Sequence, residues 1–140
     1  MSANIPVKKQ ELQAARSDLL DAFVEIETAL RQVETELNLK PSNASLGQRI
    51  GRIQKASPDA DLAKVLAQIA ALNEVRTEVV HRSMSVVAIH GTAKALFIDQ
   101  SERDHVAPTA RLISIDQFTR MSEKLHKLRE SLFKGPRKQC

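Results

Sequence analysis

The sequence predicts a mainly α-helical fold, a four-helix bundle with a small β-hairpin between the third and fourth helices. Three observations carry that expectation. A seven-residue apolar repeat runs from Leu12 to Leu37. Two Ser-x-x-Gln capping boxes stand ahead of apolar-periodic stretches, at 45–48 and 114–117. Between the third and last periodic stretches the pattern shifts to short β-branched and aromatic runs.

The first helix is expected over residues 7–37. Leu12, Leu19, Ile26 and Val33 recur every seven residues, and Phe23, Leu30 and Leu37 form the companion series. Together they make an a/d stripe with charged residues between, a seam that requires partner helices in its own chain or in a second copy. Asn38 and Lys40-Pro41 end it. The second helix starts at the box Ser45-Leu-Gly-Gln48 and runs to about Ala56, with Leu46, Ile50 and Ile53 on one face. Gly47 and Gly51 weaken it, so it depends on packing.

Ser57-Pro58-Asp59 reads as a helix start, with Ser57 as cap and proline first. The third helix then runs to about Arg82, with Leu62, Val65, Leu66, Ile69, Leu72, Val79 and Val80 on its buried side. The runs 85–90 and 95–99 predict the hairpin, with His90-Gly91 at its turn, and Arg111 to Ile115 is a candidate third strand. Residues 100–109 read as polar loop. The last helix runs from the box Ser114-Ile-Asp-Gln117, where Asp116 is a rival cap, to about Lys134. Phe118, Met121, Leu125, Leu128 and Leu132 form its stripe, and Gly135-Pro136 stops it.

The 140 residues fit one domain, 1–140, with an ordered core of about 7–134. With no Trp or Tyr and four Phe, the core must be aliphatic. The one cysteine, Cys140, can form no internal disulfide and build no zinc site. No stretch approaches the roughly 20 apolar residues that span a bilayer, and the first residues lack the apolar run of a signal peptide. The expectation is a cytoplasmic protein with no membrane contact. The net charge of +4 would assist binding to a polyanion such as RNA, although part of it sits in Lys134, Arg137 and Lys138, a basic end that solvation alone explains.

One stretch of the third helix breaks its own pattern. The seven-residue series Leu62, Ile69 continues to Arg76, and the series Leu66, Asn73 continues to Val80. Two polar residues thus occupy core-side positions. Thr77 and His81 follow Asn73 at four-residue steps and line one edge of the helix. Arg76 lies about 140° around the axis from His81. An arginine there needs either an acid on a neighbouring helix, with Glu25, Glu27 and Glu34 as candidates, or an anion such as phosphate in a cleft. His81 is suited to moving a proton near neutral pH, and an arginine beside it could stabilise charge on a phosphate. That pair suffices for metal-free RNA cleavage in which the 2′-hydroxyl attacks its own phosphodiester. One helix cannot easily aim both groups at one phosphate, so two copies packed along it would share the cleft. The plainer reading is an ion pair for Arg76 and a helix-end cation for His81 and Arg82.

The string Leu72-Asn-Glu-Val-Arg76-Thr-Glu-Val-Val-His81 near the end of a long bundle helix, followed by a hairpin and another helix, resembles the HEPN superfamily. These are small helical-bundle proteins tied to RNA cleavage and prokaryotic defence. The similarity is spread over about 7–134 and is sharp only at 72–82. It implies Arg76 and His81 as the catalytic pair of a metal-independent endoribonuclease, a toxin or defence component, with a composite site in a homodimer. Asn73, Thr77 and Arg82 would contact the substrate, and a cognate antitoxin or other partner protein would be expected. Thr77 departs from the family pattern, in which a residue such as Asn often follows the motif arginine. Many members are non-catalytic binding or assembly modules, so the alternative is a dimerisation or protein-interaction module of the same fold. No cofactor and no metal are expected. His90, His105 and His126 show no ligand spacing, and the acidic loop of Asp99, Glu102 and Asp104 reads as solvated.

Overall fold

The computed structural model describes residues 5–81, 83–98 and 110–133. In chain order these form α1 (Ile5–Glu36), α2 (Leu46–Ala56), α3 (Ala60–His81), β1 (Met84–Ile89), β2 (Thr92–Ile98), β3 (Ala110–Ser114) and α4 (Ile115–Leu132). The fold is mainly helical with a small antiparallel sheet of order β1-β2-β3. The hairpin expected from the sequence is therefore two-thirds of a larger element, because the candidate strand at 111–115 joins it.

The stripe of α1 is buried as its spacing requires: Leu12, Leu19, Ile26 and Val33 are fully buried, with Phe23 and Leu30 beside them. α1 is 32 residues long, about 48 Å at 1.5 Å per residue, and packs most extensively against α4. Its end is a Schellman motif. Asn38 takes φ of 60°, its N–H donates to the Thr35 carbonyl at 3.0 Å, and the Leu39 N–H donates to the Glu34 carbonyl at 2.9 Å.

Both capping boxes form. Ser45 Oγ accepts from the Gln48 N–H at 3.3 Å while Gln48 Oε1 accepts from the Ser45 N–H at 3.0 Å. The same exchange links Ser114 and Gln117 at 3.1 and 2.8 Å, so Ser114, not Asp116, caps α4. The start of α3 differs from the sequence reading. Asp59 Oδ1 accepts from the N–H groups of Asp61 and Leu62, which makes Asp59 the cap. Ser57 instead closes α2, donating its N–H to the Ile53 carbonyl at 3.0 Å. The stop at Gly135-Pro136 and the loop at 100–109 lie outside the described residues.

In the sheet, Met84 pairs with Phe97 and Ile89 with Thr92, while Lys94 pairs with Ser114 and Ile98 with Ala110. His90 and Gly91 connect β1 to β2 with positive φ at both positions, 51° and 77°. That is the signature of a two-residue type I′ turn, whose twist matches a hairpin. One face of the sheet lies on the helices. Ala95 and Phe97 of β2 and Ile113 of β3 are buried there, and the Phe97 ring meets Phe118 of α4 edge-on at 6.4 Å between centroids. Among the described residues, no helix is long and apolar enough to cross a membrane.

Candidate functional site

The polar stretch of α3 lies where the helix outruns its cover. Along its first half the core-side positions Leu62, Leu66 and Ile69 are buried, and α3 packs on α4, α2 and α1. α2 begins beside Asn73: a Cβ placed on Gly47 would stand 4.0 Å from Asn73 Nδ2. Beyond Asn73 the same stripe, now Arg76 and Val80, has no α2 above it. Val80 is 44% exposed, which corrects its assignment to the buried side. The seven-residue rule extrapolates a face; the length of the covering helix decides how far that face stays a core.

Each predicted site residue then has a definite place. Arg76 Nη2 lies 3.0 Å from Glu27 Oε1 of α1, with the two side chains 30% and 29% exposed. Its guanidinium carbon stands 5.7 Å from the centre of the Phe23 ring of α1, a cation–π contact between the two helices. Of the three acids offered by the sequence, Glu27 is the partner. Glu25 faces His126 of α4 at 3.4 Å, and Glu34 is held by Arg49 and Arg52 of α2. Thr77 Oγ returns to its own helix and donates to the Asn73 carbonyl at 3.1 Å. Asn73 is half-buried, and its Oδ1 is shielded from solvent with no hydrogen-bond partner. His81 is the last residue of α3; its side chain, and Arg82, lie outside the described residues.

Two functional-looking residues escaped the sequence reading. Arg16 of α1 donates from Nη2 to the Val79 carbonyl at 2.6 Å and lies over the Phe97 ring at 5.9 Å. It thereby places a cation on one of the last carbonyls of α3, where the helix dipole is negative. The available signal was its position one turn after Leu12 on the edge of the stripe. Glu78 of α3 pairs with Arg111 of β3 and ties the helix end to the sheet. The signal there was weaker, since nothing in the spacing aligns residues so far apart in the chain.

The chemistry follows from the pairing. Arg76 and Glu27 neutralise one another at the surface, and the guanidinium also contacts the Phe23 ring. A phosphate binding Arg76 must displace Glu27 or approach a carboxylate closely, and either weakens it. Two large apolar side chains are exposed on the same two helices: Val24, three residues before Glu27, at 58%, and Val80, one turn beyond Arg76, at 44%. Among the described residues, no group of three His, Cys, Asp or Glu side chains is placed to hold a metal ion. His90 sits in the hairpin turn, and His105 lies outside the described residues. Compared with protein-family models, curated proteins and solved structures, the chain matches none.

Proposed function

We propose that the protein is a helical interaction module that pairs with a second copy of itself across the open face formed by α1 and the end of α3. On this reading its four helices form a bundle of the HEPN kind. The observation that carries it is the exposure of Val24 of α1 and Val80 of α3, on the two helices that the half-exposed Arg76–Glu27 pair joins. Large apolar side chains around a neutralised ion pair are the composition of an interface core with an embedded polar contact. A two-fold axis through this face would cover all four valines of the two copies and let each Arg76 meet either Glu27.

A second reading, RNA cleavage, is favoured by one feature of the same face. Arg76 remains 30% exposed there, with His81 five residues on along the same helix. His81 would take the proton of a 2′-hydroxyl as the 2′-oxygen bonds to phosphorus. The bond to the 5′-oxygen would break, and that oxygen would take a proton from water. Arg76 would exchange Glu27 for the phosphate and stabilise its charge. The pairing of Arg76 with Glu27 ranks this reading below the first.

Light scattering on wild type, on Val24→Glu with Val80→Glu, on Arg76→Ala and on His81→Ala tests both readings, with each protein also incubated with mixed RNA in EDTA. The expected result is self-association of wild type and of both Ala variants, and no RNA turnover. In the double-glutamate protein, like charges across the axis should weaken pairing through the α1–α3 face about 100-fold or more. A wild-type protein that is monomeric at about 50 μM, a weak limit for a specific pair, overturns the module. Cleavage that survives EDTA and disappears in both Ala variants establishes the nuclease.

A further inference from the structure

We propose that the outer edge of β1 pairs antiparallel with β1 of a second copy, joining two three-stranded sheets into one of six strands. β1 is an edge of the sheet, and its only substantial packing among the described elements is on β2. Sheet edges expose unpaired N–H and C=O groups, and proteins ordinarily blunt them with charge, proline, bulges or a covering element. The six residues of β1, Met-Ser-Val-Val-Ala-Ile, contain no charge and no proline. Their register with β2 is continuous from Met84 to Ile89, with no bulge. The other edge differs: β3 carries Arg111 and turns at once into α4.

Burial along β1 is incomplete in a way that a further strand would correct. Met84, Val86, Val87 and Ile89 are all half-buried, and Ser85 and Ala88 are exposed. A second copy is the fitting occupant because an uncharged strand meets itself without like-charge repulsion, which a charged edge would suffer. Geometry narrows the register. A two-fold axis normal to the sheet keeps both sets of helices on one side and pairs residues that share a face. The pairing is then centred on Val86 or Val87, placing a valine against its own counterpart, a favourable β-branched pair. Such a seam adds about six backbone hydrogen bonds. It uses different residues from the α1–α3 face and stands independently of the function proposed for that face.

The test is a two-by-two set of full-length proteins: wild type, Ser85→Lys with Ala88→Lys, Val24→Glu with Val80→Glu, and all four changes together. Both lysine sites are exposed, so the fold itself bears no cost, and circular dichroism checks this. Sedimentation is followed from about 5 to about 200 μM, where weak association shows as a concentration-dependent mass. Wild type should pass beyond the dimer, the lysine protein should stop at the dimer, the glutamate protein should dimerise through the edge, and the fourfold variant should be monomeric. Alternate amides of β1 should become protected from exchange as wild-type concentration rises. A wild-type mass that stops at the dimer with β1 exchange independent of concentration overturns the edge and leaves the α1–α3 pairing standing. Assembly by the lysine protein equal to wild type also overturns it. A glutamate protein that dimerises while the lysine protein stays monomeric overturns the α1–α3 pairing and keeps the edge. A wild type that is monomeric throughout overturns both.

Discussion

Glu34 is 4% exposed and accepts hydrogen bonds from two arginines of α2, Arg49 and Arg52. Arg49 is itself 3% exposed, and its other terminal nitrogen donates to the carbonyls of Ser42 and Ala44. Arg52 reaches the Lys40 carbonyl at 2.7 Å. One carboxylate and two guanidinium groups thus fasten the loop between α1 and α2. Removing only the carboxylate charge strands a buried cation, so Glu34→Gln should lower stability by about 3 kcal/mol. Arg52→Ala, at a side chain 30% exposed, should cost about 1 kcal/mol. Urea unfolding of the three proteins measures both, and a loss below about 1 kcal/mol for Glu34→Gln would mean that the latch is ornamental. The same residues show why the partner of Arg76 was not legible. Glu25, Glu27 and Glu34 all lie on α1. The helical period sets Glu25 about 160° from Glu27 and so rejects it. Glu34 shares Glu27's side of the helix and is excluded only by height, seven residues or about 10.5 Å along the axis. That height has meaning only once the placement of α3 is known.

Element ends were the most legible part of the chain, because a cap is decided by residues in sequence contact. Both Ser-x-x-Gln boxes form as read, and Asn38 ends α1 through its left-handed φ of 60°. The start of α3 was misread because Ser57 and Asp59 are both competent caps. The choice fell to Asp59 because its Oδ1 accepts from the Asp61 and Leu62 N–H groups, while Ser57 Oγ accepts from the Asp59 N–H ahead of the helix. What no local rule supplies is how far one element covers another, and Val80 is exposed for that reason. Asn38 offers a test at this scale. Asn38→Gly should leave stability unchanged or slightly raised, since glycine adopts that φ without strain. Asn38→Val should lose about 1–2 kcal/mol, because a β-branched side chain clashes there. Thermal melts of the pair check the sign: equal losses would mean that the carbonyls at the end of α1 do not depend on the left-handed residue.

At the scale of the whole molecule, the sheet and the helices share one core, and Phe97 joins them. Its ring meets Phe118 of α4, lies beneath Arg16 of α1, and through Arg16 reaches the Val79 carbonyl of α3. Ala95 and Ile113 flank it on the sheet and belong to the same buried cluster as the stripes of α1 and α4. The polar end of α3 is therefore held from one side by the sheet, through Glu78 and Arg111, and from the other by α1, through Arg16 and Glu27. In such an arrangement the sheet should not open while the helices stay closed. Native-state exchange in wild type should give the core amides of β2 the same opening free energy as those of α1 and α4. Phe97→Leu removes part of the ring's contacts while leaving an apolar side chain to fill the site, at a cost of roughly 1–2 kcal/mol. The β2 amides should then open separately, before the helices, and the coincidence should be lost. If β2 already opens at lower free energy than the helices in wild type, the sheet is an appendage of the helical core and Phe97 is not the joint. If both still open together in the leucine variant, the tie is carried by Arg16 and the Glu78–Arg111 pair instead, and Arg111→Ala should separate them.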